Sequence, residues 1–489
     1  MYLRELLSAL HHNIEVSNDS NPMITGISMD NRSVESGNLF VCIKGHRFDG
    51  HKFATDAVSK GAVAILAEAP VDVSVPVIMV KDSRRALAII ADVFFGQPSH
   101  KLHVVGVTGT NGKTTTTHII DYICQKANKK TGLIGTMYMK INNLAYDVVN
   151  TTPESLTLQK AFYDMVETNT DIVTMEVSSH ALDLGRVHGV DFNVAVFTNL
   201  TQDHLDYHQT MDEYRRAKGL LFAQLGNTFS VDKPKFAVLN GDDEATAQYT
   251  RSTCAHVYTY GIHNDCDIMA FDINTTATGT EFKLKTPFGT TDVSMRLMGQ
   301  FSIYNVMAAV GACLVSGISL KTIVESIQSF TGVPGRFEAV DAGQDFSVIV
   351  DYCHTPDSLE NVLKTIQQFS TKKIITVVGC GGDRDKMKRP IMAKLASEYS
   401  DIAIFTSDNP RTEDPSAILA DMEAGVKGEA FISIVDRKKA IEHAIVNAEQ
   451  GDIILIAGKG HETYQIIGDK TLPFDDREVA KNAIKEKLM

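Results

Sequence analysis

The sequence predicts a three-domain α/β protein built around a mostly parallel central sheet. Three observations carry that expectation. Short apolar runs alternate with helix-like segments along the chain, a glycine-rich turn bearing a lysine follows one such run, and two breaks rich in proline or glycine divide the alternation. The length of 489 residues agrees, because one hydrophobic core rarely serves more than about 250–300 residues and domains commonly hold about 150.

In chain order, residues 39–43 and 63–66 are apolar runs flanked by glycine and charge and read as strands, and 82–95 reads as a helix. Residues 97–100, Gln-Pro-Ser-His, break the pattern, which sets a first domain at 1–98. The next run feeds the turn Gly109-Thr110-Asn111-Gly112-Lys113-Thr114-Thr115, and a helix follows from Thr114 to about residue 128. Residues 171–177 and 194–198 then read as further strands of a parallel sheet. Ligands of such sheets bind beyond the carboxyl ends of the strands, which singles out Glu176, Ser178 and Asn199. The glycine/proline link 331–336 closes the middle domain at 99–331 and opens a third at 332–489. There the alternation repeats, with strands 346–350, 374–378, 402–405 and 453–457 each running into a polar or glycine-rich loop, and Asp414-Pro415 supplies an N-cap and a first helical residue.

Composition narrows the function. A formal charge of −13 argues against a general nucleic-acid or anionic-membrane binder, so anionic ligands must be caught locally. Seven scattered cysteines without a C-x-x-C pair indicate neither a disulfide framework nor a zinc site, and a reducing cytosol fits them. The first ten residues carry a charge pair and too short an apolar run for a signal peptide, and no run approaches the ~18 residues of a membrane span.

The turn at 109–115 reads as a phosphate cradle. Gly109 and Gly112 let the backbone point its N–H groups inward at a helix N-terminus, Lys113 is placed for the β/γ-phosphates, and Thr114 for Mg²⁺. Val107 stands where the longest form of this motif has glycine, while the shorter Gly-Thr-Asn-Gly-Lys-Thr is intact.

Further motifs follow in order. Asp30-Asn31-Arg32 and Gly45-His46-Arg47-Phe48-Asp49-Gly50 lie in the first domain; Asn150-Thr151-Thr152-Pro153, Glu176-Val177-Ser178-Ser179-His180 with Arg186, Asp203-His204, Ala217-Lys218 and Asn305 lie in the second. Asp351-Tyr352-Cys353-His354, Asp383-Arg384, Asp408-Asn409-Pro410-Arg411 and Gly458-Lys459-Gly460-His461-Glu462 lie in the third. Taken together the chain resembles the ATP-dependent Mur ligases of peptidoglycan synthesis, and among them the MurE type, which adds the third amino acid of the stem peptide.

The resemblance implies a central P-loop ATPase-like domain, an N-terminal domain for the UDP end of the substrate and a C-terminal Rossmann-like domain for the incoming amino acid. It implies ATP contacts from Gly109 through Thr115, with Asn305, Asp351 and His354, and a catalytic group of Lys113, Glu176, His204 and a carbamylated Lys218. Thr114, Glu176, His204 and that carbamate would hold Mg²⁺. UDP-N-acetylmuramoyl-L-alanyl-D-glutamate would meet Asn31, which replaces a serine of the family motif, together with His46, Arg47, Phe48, Asn150, Thr151, Thr152, Ser178 and Arg186. Arg384, Asp408, Asn409, Pro410, Arg411, Gly458 and Glu462 would form the amino-acid site. Arg411 points to meso-diaminopimelate over L-lysine, because a guanidinium grips the extra carboxylate bidentately. Small-molecule substrates, a monomer and a cytoplasmic setting complete the expectation. Two rivals are a folylpolyglutamate synthetase, opposed by Arg411 and by the N-terminal domain, and a non-catalytic nucleotide sensor, opposed by the presence of Lys113, Glu176, His204 and Lys218.

Overall fold

The computed structural model describes all residues except 12–13, 46–47, 228, 277–278 and 427–430. Three sheets succeed one another along the chain, and each draws its strands from one contiguous stretch. The first has five strands in the order Glu15–Val16, Val77–Met79, Ala64–Ala67, Asn38–Val41, Gly26–Ser28, parallel except for the first pair. Its strands are covered on both faces: Leu39 and Val41 enter one apolar cluster and Phe40 the other, as the two-residue period of a strand requires. The predicted helix spans Ser83–Phe94, with Asp82 accepting from the Arg85 N–H as its cap.

The second sheet has eleven strands. Seven run parallel: Ile268–Thr276, His256–Gly261, Phe236–Asn240, Val194–Phe197, His103–Thr108, Ile172–Glu176 and Thr131–Ile134. The sheet is thus mostly parallel, as expected, and is mixed at its edges, where Gly279–Thr286 with Gly289–Met295 and Met139–Ile141 with Leu144–Tyr146 add antiparallel strands. Only two residues separate Ile141 from Leu144, too few for the crossover that a parallel neighbour needs. Val105 and Val107 pack against one helical layer and Val104 against the other, which leaves the strand end free to present its turn.

The third sheet has six strands in the order Glu338–Ala339, Ser347–Asp351, Ile453–Ala457, Ile374–Cys380, Ile402–Ser407, Phe431–Ser433, antiparallel only at the first pair. Registers Asp351↔Ala457, Val378↔Ala457 and Cys380↔Ser407 align the strand ends, so the loops after them meet on one edge. Helix Pro415–Glu423 starts as the sequence indicates, with the Asp414 carboxylate accepting from the Ser416 N–H. A separate two-stranded ribbon, Tyr464–Ile467 with Lys470–Pro473, lies beside this edge.

The edge faces the lysine-bearing turn. Asn111 Nδ2 donates to Asp357 Oδ2 at 2.6 Å and Arg336 Nη2 to Thr114 Oγ1 at 3.3 Å, so the third sheet's loops and the turn wall a common space.

Candidate active site

The turn after His103–Thr108 is fixed mostly by backbone. Thr110 N donates to Asn199 O and Asn111 N to Asn199 Oδ1, while Thr198 Oγ1 donates to Asn111 O. Gly112 has φ 84°, and a Cβ there would sit 2.2 Å from Asn305 Oδ1, so the turn admits only glycine at this position. Helix Lys113–Lys126 starts immediately after it, and no side chain caps its first turn. Its N–H groups and its dipole are thus presented to an anion. Lys113 Nζ donates to the carbonyls of Gly109 and Thr110 at 2.9 and 2.8 Å, and burial pushes its pKa down.

Glu176, 1% exposed at the end of its strand, accepts from Thr114 Oγ1, from Thr136 N and from Thr136 Oγ1 at 3.1, 2.9 and 3.0 Å. Among the described residues it forms no direct ion pair, and its charge acts on the nearby Lys113 ammonium without contact. The carboxylate and the threonine hydroxyl beside it are hard oxygen donors that fit Mg²⁺. Lys218 is also 1% exposed; its Nζ donates to Gly109 O at 2.7 Å and lies 4.4 Å from the Tyr214 ring centre. Burial, with Lys113 close by, pushes its pKa well below the ordinary lysine range. Burial that disfavours the ammonium favours the free amine, the form that reacts with carbon dioxide, which fits the implied carbamate. His204 stands in a left-handed conformation with its ring 4.9 Å from that of His180 and Nε2 3.4 Å from Asp203 Oδ2; burial lowers its pKa, so the imidazole is neutral near pH 7.

Across the space stand two guanidinium groups. Arg411 Nη1 donates to Gly382 O at 2.7 Å and Arg384 Nη1 to Asp383 O at 3.0 Å, and neither forms an ion pair among the described residues. Burial, and then the nearby Arg411 charge, lower the Arg384 pKa. Beside them Glu462 Oε2 accepts from Lys459 Nζ and from Asn409 Nδ2, each at 2.8 Å. Two unpaired cations next to a carboxylate suit a ligand that carries both carboxylates and an ammonium.

Two adjoining cavities lie among these groups, and Lys218 lines neither. One, of about 870 Å³, brings together Lys113, Thr114, Asn150, Thr151, Glu176, His204, Arg384, Arg411 and Glu462. The other, of about 790 Å³, is lined by Asn305, Asp351 and Phe301 and shares Asn111, Gly112, Thr115, Arg336, Tyr352 and His354 with the first. Burial, then Lys388, lowers the His354 pKa to about 4.

The chain matches three consecutive domain descriptions: "Mur ligase family, catalytic domain" over residues 23–95, "Mur ligase middle domain" over 107–313 and "Mur ligase, glutamate ligase domain" over 335–460. It is 59% identical over 488 residues to a Bacillus cereus protein named UDP-N-acetylmuramoyl-L-alanyl-D-glutamate--2,6-diaminopimelate ligase, with 100% of this chain and 99% of the relative covered. The chain belongs to the Mur ligase family. A relative of the same name from Geobacillus thermodenitrificans is 58% identical with both chains fully covered. A solved structure of a UDP-N-acetylmuramoyl-L-alanyl-D-glutamate--2,6-diaminopimelate ligase superposes with a TM-score of 0.70 at 32% identity, covering 100% of this chain and 99% of the other. The architecture is thus the three-domain α/β fold of Mur ligases, and this Mur ligase is an ATP-dependent, ADP-forming amide ligase that uses Mg²⁺.

Some residues singled out in the sequence lie behind the cavity wall of this Mur ligase. Thr152 is fully buried, donates to Glu176 O and accepts from Ser178 N, while Arg186 pairs with Glu154 at 2.8 Å. Asp408, Asn409, Pro410 and Gly458 form the layer under Arg411 and Glu462; a Cβ on Gly458 would lie 2.6 Å from Asp408 Oδ2. Asp351 spends both carboxylate oxygens on the N–H groups of Phe337 and Cys353. Asn31 donates to Asp56 at 2.7 Å, Phe48 is exposed, and His46 and Arg47 lie outside the described residues. Sequence reasoning passed over Arg336, Thr136 and Lys459. Arg336 carried one signal, its place directly after a glycine in the interdomain link.

Proposed function

We propose that this Mur ligase joins meso-diaminopimelate to UDP-N-acetylmuramoyl-L-alanyl-D-glutamate with cleavage of ATP to ADP and phosphate. The observation that carries the reading is that the phosphate cradle and two unpaired guanidinium groups share one chamber. The relatives at 58–59% identity are named for this reaction.

The nucleotide base lies on the Asn305 and Asp351 side, with its phosphates on the first turn of the Lys113–Lys126 helix. Lys113 exchanges the loop carbonyls for β/γ-phosphate oxygens. Mg²⁺ held by Thr114 and Glu176, with His204 and a carbamate on Lys218 as further donors, supplies the positive charge that such a transfer demands. The free carboxylate of the D-glutamyl residue, set by Asn150 and Thr151 with Thr152, Ser178 and Arg186 behind them, takes the γ-phosphoryl group. The acyl phosphate is then attacked by the neutral amine of diaminopimelate, the amide forms, and phosphate and a proton leave. Glu462 orients the incoming amino-acid head and Arg384 and Arg411 grip its carboxylates. Positioning of this kind supplies most of the barrier reduction in such transfers.

The same reading assigns Asn31, His46, Arg47 and Phe48 to the UDP end and ends the first two domains near 98 and 331. The same reading takes the enzyme to be a monomer. No described helix is long and apolar enough to cross a membrane, which agrees with the cytoplasmic setting. ADP release by the purified protein with the UDP-dipeptide tests the proposal: strong dependence on meso-diaminopimelate is expected. A preference for L-lysine sinks the Arg411 assignment, and dependence on neither amino acid sinks the reaction.

A further inference from the structure

We propose that the ribbon Tyr464–Ile467/Lys470–Pro473 is a specificity element of the amino-acid site, with Gln465 as its positioning residue. The inference rests on the reading that Arg411 grips the distal carboxylate of diaminopimelate. Arg411 has φ 52°, a left-handed conformation that a non-glycine residue adopts only when its surroundings enforce it. The strand Ile402–Ser407 ends before this segment, so the sheet ladder does not fix it.

The ribbon does. Gln465 Nε2 donates to Asp408 O at 2.7 Å, Ile466 N to Asn409 Oδ1 at 2.9 Å, Arg411 N to Ile466 O at 3.1 Å, and Gly468 N to Arg411 O at 2.7 Å. Three of the four residues from Asp408 to Arg411 are therefore bonded to it. Ile466 N and Lys459 Nζ together occupy Asn409 Oδ1, which turns Asn409 Nδ2 toward Glu462 Oε2. One ribbon thus sets both the guanidinium that reads a carboxylate and the acid that reads an ammonium.

The dependence runs both ways. A lone two-stranded ribbon is marginal in water, and the residues Tyr464, Ile467 and Leu472 are exposed, so the bonds to the Asp408–Arg411 segment hold it in place. By linkage, a ligand that fixes Arg411 must also stabilise the ribbon.

The test compares Gln465→Ala, Gly468→Val, Gly468→Asn and Arg411→Ala in the full-length enzyme. Gly468 has φ 59° with open space around its Cα, so valine there strains only the backbone, whereas asparagine tolerates that conformation. Gln465→Ala is expected to raise KM for meso-diaminopimelate about fivefold, as for one lost hydrogen bond, and Gly468→Val about tenfold. KM for ATP stays unchanged, the preference over L-lysine falls in step, and Gly468→Asn behaves as wild type. Hydrogen exchange at Ile466 and Gly468 slows when meso-diaminopimelate joins the enzyme with the UDP-dipeptide and a non-hydrolysable ATP analogue, and does not slow in Arg411→Ala. If Arg411→Ala destroys selectivity while both ribbon variants keep it, or if their KM for ATP rises in parallel, the ribbon proposal is overturned. If Arg411→Ala itself keeps selectivity, the underlying reading fails and takes the ribbon proposal with it.

Discussion

The phosphate cradle and the proposed amino-acid site both sit at the carboxyl ends of parallel strands, yet they are held by different means. The cradle is one contiguous turn whose shape comes from backbone, glycine and a clamp by Thr198 and Asn199. The amino-acid site is assembled from three loops and a ribbon, and its shape comes from side chains that bond across them. The first therefore depends on one turn and one clamping loop, while the second depends on every loop that meets there.

The sharpest way to break the comparison is at the cradle's lysine. Lys113→Ala should lower ADP release about 10³-fold, the scale of a lost transition-state charge contact, with the fold intact by circular dichroism; a much smaller loss would place the charge stabilisation elsewhere. Next comes the foundation of the amino-acid site. Arg437 and Asp476 form a fully buried bidentate pair, and Arg437 also donates to Ala457 O, at the end of a strand that carries a site loop. Arg437→Leu should cost about 3–5 kcal/mol in urea unfolding because it strands a buried carboxylate, and Arg437→Leu/Asp476→Leu should recover much of it. A double variant as unstable as the single one would mean that packing, not charge, holds the site. Smaller again, Arg411→Ala should lower kcat/KM for meso-diaminopimelate about 10²-fold, from the loss of charge-assisted hydrogen bonds, while leaving L-lysine turnover near its wild-type value.

The smallest effect is on stability. The folded chain holds Lys218 at a lowered pKa, so below 10.5 the unfolded chain binds more protons and stability rises with pH across the window between the two values. In buffer free of carbon dioxide, Lys218→Met should therefore raise Tm slightly at pH 7, and the gain should shrink as pH approaches 10.5. A gain that grows with pH would show that burial does not disfavour the charged amine.

What the sequence made legible follows the same division. The cradle, the start of the Pro415–Glu423 helix and the strand Ile453–Ala457 could be read because their signals are contiguous: glycine spacing, a cap, an apolar run. The antiparallel edges of the central sheet were missed because pairing direction depends on how far the next strand lies, not on the strand itself. Arg336 was read as part of a link, and only the packing of the domains carries it to Thr114. The bond from the Asn31 amide to Asp56, twenty-five residues away, had no local signal either. Residues 464–473 carry no motif at all; their importance lies in what their backbone touches.

The alignment of strand ends in the third sheet has an evolutionary consequence. On the proposed reading the groups that meet the incoming amino acid hang from one rim of one sheet, whereas the turn that cradles the phosphates belongs to another, with Asp351 and His354 reaching the nucleotide from the first. Amino-acid preference can therefore drift by exchange of a few loops and a ribbon without disturbing phosphoryl transfer, and a graft that moves Arg411 without residues 464–473 would carry over the letter of the specificity and leave its grammar behind.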